Sequence, residues 1–426
     1  MMRRLRAVAH SVVTVSVQGS GWATFAYRFG EYYRSSEMWM PPRLRTREWM
    51  FIPFGGGMPL RHRAFDSSKH LRRFLVEKTP HSTFYSTAYW RHPDVYKMDD
   101  KEWLGADLIF DLDGDHLPGI DDLDFVSMLE HIQVQAHKLW NDFLNPEFGF
   151  DEKYLQVTFS GHRGYHLHYR DPKLAHLDSE ARRELVAHIR GEGIDVAFAL
   201  ERWEDHDIGG WTERLRNGMN LTLERLDSVR EGETADVNPI IEEMVQAMKR
   251  SAAFRGKQIK RGPTVVKKIA DLVAHESRRQ RLIDGNWNAL GGRGGEANFH
   301  RDALIDILRG DSAIILGGAG ETDEVVTVDT RRVIRWPTSL HGKCGLRVTE
   351  LPLERLDIDA SNTFDPLSEA LALSMDEKMT VRVEVDGART RIGEREYELF
   401  QGELLELPEA AAAFIVLKGW GTVTSS

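Results

Sequence analysis

The stretch that most constrains this chain is Asp107-Leu108-Ile109-Phe110-Asp111-Leu112-Asp113-Gly114-Asp115. Its period of two predicts a half-buried β-strand, with Leu108, Phe110 and Leu112 on one face and Asp107, Ile109, Asp111 and Asp113 on the other. Same-face carboxylates at the end of an apolar strand repel each other, and such an arrangement persists where a proton or a cation sits between them. Oxygen ligands suit a hard divalent ion such as Mg2+ or Mn2+. An isolated Asp-x-Asp is more often a solvated strand end running into an acidic loop, so the remainder of the chain has to decide between the two.

A chain of 426 residues exceeds one ordinary domain and predicts a main domain with a substantial insertion or a second lobe. With 41% hydrophobic residues and no apolar run near the ~20 residues of a membrane span, a soluble globular protein is expected. The basic start, Met1 to Arg6, faintly resembles a signal peptide, but the apolar stretch after it is short and broken by His10, Ser11 and Thr14. Residues 1–27 read instead as an N-terminal extension. A single cysteine, Cys344, excludes an internal disulfide and a zinc site built on several thiolates, and points to the cytoplasm. The net charge of -10 argues against indiscriminate binding of nucleic acid. Local basic surfaces remain: Lys249 to Lys268 holds eight Lys or Arg and no acid, and Arg331, Arg332, Arg335, Lys343 and Arg347 cluster later. Charge runs are more often only solvated faces.

Ahead of the acidic stretch the sequence reads as a short helix around Tyr32-Tyr33-Arg34, then a hairpin about Gly55-Gly56-Gly57, then a helix capped by Ser67 and ending near Glu77. The aromatics of Phe84 to Trp90 are expected in the core. Beyond the acids, Phe125, Leu129, Ile132, Ala136, Leu139 and Phe143 form the stripe of an amphipathic helix, with His131 and His137 off it. Tyr154 to Phe159 is a second strand. It leads into Ser160-Gly161-His162-Arg163-Gly164-Tyr165-His166, a tight glycine turn continuing as strand. Two glycines let the backbone approach a ligand, and a hydroxyl, a guanidinium and an imidazole are groups that hold a triphosphate. Beside a metal-holding strand such a loop gains weight, because metal-bound nucleotide phosphates need both.

Residues 178–308 read as a mostly helical insertion with glycine breaks such as Gly291 to Gly295. Leu316-Gly317-Gly318-Ala319-Gly320 lacks the Gly-Lys-Ser/Thr of a phosphate loop and reads as a turn. Val325-Val326-Thr327-Val328-Asp329 reads as an apolar strand ending in an acid, a third carboxylate that would let the site hold two cations. Asp386-Gly387 signals a hairpin, and a short helix runs from Pro408 to Gly419.

Three motifs thus stand in order: Asp111-Leu112-Asp113, Ser160 to His166, and Val328-Asp329 with the Arg335 to Leu346 segment. Together they resemble the catalytic subunit of the archaeo-eukaryotic DNA primases, specifically the archaeal small subunit, over roughly residues 28 to 420. Arg47-Glu48, Arg61-His62 and Tyr85 to Ala88 resemble the N-terminal part of that family. The resemblance implies an α/β (α+β) fold, with a mixed central β-sheet formed by 28–177 and 309–426 and the mostly helical subdomain 178–308 inserted before the third acid. It also implies synthesis of short primers on single-stranded DNA from nucleoside triphosphates, with a large subunit as partner in a heterodimer and no membrane association. Asp111, Asp113 and Asp329 would be the catalytic acids and hold two Mg2+ or Mn2+ ions. Ser160, Arg163, His166, Arg335 and His341 would hold the phosphates of the incoming nucleotide.

Two departures stand out. Family members commonly carry a Cys/His zinc knuckle between the first two motifs, whereas residues 114–159 hold no cysteine, so no structural zinc is expected. Cys344 stands where Ser or Thr is usual. Among rival readings, a calcium loop starting at Asp111 would need glycine where His116 stands, and Asp122 replaces its closing Glu. A metal-dependent nuclease leaves the Ser160 to His166 loop unexplained. A primase-like polymerase for repair or gap filling shares the chemistry, and a non-catalytic binding subunit has no need of three intact acids.

Overall fold

The computed structural model describes residues 22–114, 123–192, 210–231, 239–251, 262–290, 295–310 and 324–424. They fall into two compact units, one within Met1–Gln133, Tyr154–Asp178 and Asp329–Ser426, the other within Val134–Lys153 and Ser179–Val328. The second unit takes in 134–153 and reaches Val328, beyond the 178–308 expected from sequence.

In the first unit, helix α1 (Trp22–Ser35) buries Phe25, Phe29 and Tyr33, four residues apart and therefore on one face. This helix spans the expected boundary at 28, and residues 1–21 lie outside the described residues. Strands β1 (Trp49–Ile52) and β2 (Leu60–Arg63) form the hairpin expected around the glycines. Helix α2 (Ser68–Lys78) follows, with the Ser67 hydroxyl accepting from the His70 N–H at 3.3 Å. Strand β3 (Ser82–Ser86) pairs with β1, and the short strands β4 (Ala88–Trp90) and β5 (Trp103–Ala106) pair with each other. Tyr85, Tyr89 and Trp90 are buried as their apolar run requires.

The acidic stretch is strand β6 (Leu108–Asp113), and helix α3 (Phe125–Leu139) follows it with Phe125, Leu129, Ile132, Ala136 and Leu139 all buried. His131 is exposed and His137 half-buried. Strands β7 (Leu155–Phe159) and β8 (Gly164–Tyr169) flank the glycine turn. With β9 (Val333–Arg335) and β10 (Thr349–Leu351) they complete two four-stranded sheets, in the orders β2-β1-β3-β9 and β10-β7-β8-β6. The α+β class holds, with the strands spread over several antiparallel sheets.

Near the C-terminus β11 (Lys378–Val383) pairs with β14 (Leu404–Pro408) and β15 (Gly421–Val423), while β12 (Ala388–Ile392) pairs with β13 (Arg395–Leu399). The hairpin expected at Asp386-Gly387 is corrected: that turn joins β11 to β12, which do not pair, and the two-residue hairpin loop is Gly393-Glu394. Gly393 has φ 60°, a left-handed value that a tight loop demands and glycine supplies. The expected helix is present as Glu409–Leu417, with Gly419 at φ 77° beyond its end.

The second unit is helical. Gly210–Glu231, Pro239–Arg250, Gly262–Val273 and Gly295–Gly310 pack Leu223, Leu226, Met248, Val266, Ile269 and Leu304 into one core. Lys249, Lys267 and Lys268 are exposed on these helices, and the middle of that basic segment, 252–261, lies outside the described residues. So do the turns 291–294 and 316–320 and the loop 115–122 with Asp115, His116 and Asp122. The strand expected over Val325 to Val328 is corrected to a one-turn helix, Glu324–Val328. Its β-branched residues favour a strand locally. Tertiary packing prevails: Val326 and Thr327 are buried, and Arg182 Nη1 donates to the Thr327 carbonyl at 3.5 Å, a cation at the helix C-terminus.

Candidate active site

Strand β6 is more enclosed than alternation alone implies. Leu108, Ile109, Phe110 and Leu112 are all buried, and only toward the end do Asp111 and Asp113 reach solvent, with side-chain exposures of 19% and 52%. Antiparallel pairing with β8 sets Asp111 opposite His166 and Asp113 opposite Gly164. A strand of acids is thereby laid directly against the strand that leaves the glycine turn.

Two glycines make this approach possible. A Cβ on Gly164 would come within 2.2 Å of the Leu112 carbonyl oxygen. Gly161 has φ +84°, and a Cβ there would lie 3.1 Å from both His341 Cβ and Val348 Cγ2. Between them the Ser160 hydroxyl accepts from the Gly164 N–H at 3.1 Å and the His162 N–H at 3.4 Å, so it shapes the turn.

His166 Nε2 stands 3.3 Å from Asp111 Oδ1. Burial, reinforced by Arg335, pushes its pKa down to about 3, so the ring is neutral at physiological pH. Its Nδ1 is buried without a hydrogen-bond partner among the described residues. Arg163 Nε lies 3.9 Å from Asp113 Oδ1. Arg335 enters from β9, opposite Phe84 of β3, with its guanidinium 4.8 Å over the Phe84 ring. Burial lowers its pKa to about 10 while Cys344, Asp113 and Asp111 oppose that shift, and its Nη1 is buried with no hydrogen-bond partner among the described residues. Five of the residues singled out from sequence, Asp111, Asp113, Arg163, His166 and Arg335, therefore act on one another directly.

His341 stacks on His162, with centroids 4.8 Å apart and planes 14° from parallel, and burial pushes both far below the ordinary imidazole range. The Cys344 thiol donates to the Gly161 carbonyl at 2.9 Å, and burial raises its pKa to about 11. That thiol ties the 336–348 segment to the glycine turn, a donor's role that a hydroxyl also fills. Asp329 follows the one-turn helix, its Oδ1 accepting from the Arg331 N–H at 2.8 Å. Among the described residues no three His, Cys, Asp or Glu side chains converge as a metal-binding group. In chemistry, the carboxylate oxygens of Asp111 and Asp113 suit a hard divalent ion.

From sequence Asp107 reads as a supporting or a solvent-facing acid, and the structure shows the first, with partners the sequence did not name. Asp107 is buried and holds Arg47 Nη2 at 2.9 Å and Arg170 Nε at 3.1 Å, with the Tyr89 hydroxyl donating to its other oxygen. Burial alone would raise its pKa; Arg47 and Arg170 overcome this and hold it below the ordinary carboxylate range. Arg47 also donates to the carbonyls of Ser86 and Thr87, tying β3 to the start of β6. The available signal was an acid at the head of an apolar strand with arginines distant in sequence.

Residues 110–353 match the family described as DNA primase small subunit. The chain belongs to that family. It is 38% identical over 411 residues to the DNA primase small subunit PriS of Methanothrix thermoacetophila, covering 93% of this chain and 97% of the relative. PriS of Methanocella arvoryzae is 34% identical over 415 residues, covering 92% and 96%. PriS of Haloarcula marismortui is 31% identical over 401 residues, covering 92% and 95%. The match to the primase small-subunit family thus takes in all three motifs, from Asp111 through Ser160–His166 to Asp329 and Arg335. No described helix of this family member is long and apolar enough to cross a membrane.

Proposed function

We propose that this chain is the catalytic subunit of a DNA primase, building short primers from nucleoside triphosphates on single-stranded DNA, with a large subunit as its partner. The observation that carries the reading is the register of β6 against β8, which sets Asp111 and Asp113 beside His166 and Arg163, with Arg335 acting on the same acids.

Asp111, Asp113 and Asp329 would hold the cations, Mg2+ or Mn2+. When bound, such ions make a primer 3′-hydroxyl more acidic and stabilise the pyrophosphate leaving group. The rest falls to the protein. Arg335 and Arg163 bind the phosphates of the incoming nucleotide as charge-assisted donors, and the unpartnered Arg335 Nη1 supports this role. His166 is a neutral ring with a single N–H, and that donor serves either Asp111, which Nε2 faces at 3.3 Å, or a phosphate oxygen of the incoming nucleotide, not both at once. Ser160 keeps the turn in shape, and the His162–His341 stack fixes the loop that carries Lys343.

The test is nucleotide incorporation on an unprimed single-stranded template, with and without Mg2+ or Mn2+ and with the large subunit present, comparing the wild type with Asp111→Ala and Asp329→Ala. Metal-dependent product from the wild type and almost none from either variant is expected. Full activity of Asp329→Ala overturns the three-acid assignment. Extension of a primer without the ability to start one favours a repair polymerase.

A further inference from the structure

The C-terminal segment carries a lysine that the three motifs leave out. Lys418 follows the helix Glu409–Leu417 directly, and its Nζ lies 4.0 Å from the ring centroid of Phe125, 4.6 Å from Trp420 and 5.7 Å from Phe414. Three ring faces turned toward one ammonium group restrict where it can sit. The rings do not end there. Trp420 meets Phe414 at 5.9 Å, Phe414 meets Phe125 at 5.1 Å, Phe125 meets His162 at 5.6 Å, and His162 stacks on His341 at 4.8 Å. A continuous line of packed rings therefore runs from the C-terminal segment to the glycine turn and on to the third motif.

Charge follows the same line. The largest electrostatic influences on His162 are all positive, Lys418 first and then Arg163, Lys343 and Arg335. The Cys344 thiol, bonded to the turn at Gly161, feels Lys418, Arg335 and Arg163. Cations brought together around buried, neutral imidazoles make a positive field whose natural complement is a polyanion.

Building on the primase reading, we propose that Lys418 is a further nucleotide-binding residue, held in its aromatic cage to pair with the terminal phosphates of the nucleoside triphosphate beside Arg163 and Arg335. Its reach is set by the cage, so it acts as a fixed point charge on the phosphate tail and leaves the reacting centre to the acids.

Lys418→Met keeps a long apolar side chain among the rings and removes the charge; Lys418→Arg keeps both. The test measures binding of a nucleoside triphosphate and of inorganic tripolyphosphate to the full-length protein by titration calorimetry, alongside KM and kcat for primer synthesis and the thermal midpoint of each variant. The proposal expects Lys418→Met to weaken triphosphate and tripolyphosphate binding and raise KM by roughly tenfold, the loss of one charge-assisted contact, with kcat and midpoint near wild type and substantial recovery in Lys418→Arg. Binding and KM unchanged in Lys418→Met, while the wild type makes primers, overturn the proposal alone. A midpoint that falls together with kcat, without recovery in Lys418→Arg, assigns the lysine to folding and overturns it as well. A wild type that binds triphosphate but makes no primers overturns the primase reading instead.

Discussion

His166 and Asp111 face each other across β8 and β6, with Nε2 3.3 Å from Oδ1 and the imidazole held neutral. The ring lies within 3.3 Å of the acid and carries no charge of its own. With a pKa of about 3, His166 does not titrate between pH 5 and 8, so its own protonation leaves no inflection near 6.5 in the pH–rate profile of primer synthesis. A His166→Gln variant, which keeps a donor, should retain the shape of the wild-type profile at a reduced rate. A profile whose limb near 6.5 disappears in this variant would contradict the neutral ring.

The same burial links pH to stability. His81 at about 4, His166 at about 3, and His162, His168 and His341 are all depressed, chiefly by desolvation. The unfolded chain takes up protons below about 6.5 while the folded chain refuses them. Their stabilising effect is therefore complete above that pH and is lost as pH falls from about 6.5 toward the folded values, by up to roughly 1.4 kcal/mol per pH unit for each ring. Urea midpoints at pH 7.5, 6.5 and 5.5 should fall across the last interval. A flat series contradicts the burial of these histidines.

Asp107 separates support from chemistry. Asp107→Ala strands the buried Arg47 and Arg170, and a loss of about 3–5 kcal/mol is expected for breaking such a pair from one side. Denaturant unfolding should register this, with a lower midpoint and an unchanged slope. Asp111→Ala, at a half-buried position, should abolish primer synthesis at little cost in stability.

Gly164 tolerates no side chain, since the Cβ of an alanine would meet the Leu112 carbonyl oxygen at 2.2 Å. Gly164→Ala must push β8 away from β6 and is expected to cost about 3 kcal/mol. It should also move His166 away from Asp111. Calorimetry and primer synthesis should both decline, and a variant with wild-type activity would show that this register is not needed.

Cys344 is expected to be inert in the folded protein. A thiol near pKa 11 holds about one hundredth of the thiolate of one at 9, and it is buried as well. Alkylation by iodoacetamide at pH 7.5 should be at least about 100-fold slower in native protein than in urea.

Much of the site was legible because it follows from local rules. Alternation placed Asp111 and Asp113 on a strand, glycine spacing gave the turn at Gly161 and Gly164, and the stripe from Phe125 to Leu139 gave the helix between them. Where local preference and packing disagree, local rules fail. Val325 to Val328 are strand-forming residues, yet they close a helical turn because Val326 and Thr327 are buried and Arg182 caps the end. Asp386-Gly387 has hairpin residues, yet β11 finds its partners in β14 and β15.

By itself the sequence determined which groups are candidates for the chemistry: two acids two residues apart, a glycine turn with Ser160, Arg163 and His166, and a later Arg335 and His341. Side-chain type and short-range periodicity single out the acids and the glycine turn without reference to anything distant in the chain, and the family resemblance adds Arg335 and His341. Only the tertiary structure decided how they are charged and supported. Asp107 became a buried counter-ion because Arg47 and Arg170 arrive from 60 and 63 residues away, and His166 became neutral because it is buried between β6 and β7, with the charge of Arg335 acting on it. Desolvation and Coulomb interactions depend on distance in space, and no pattern along the chain encodes that distance.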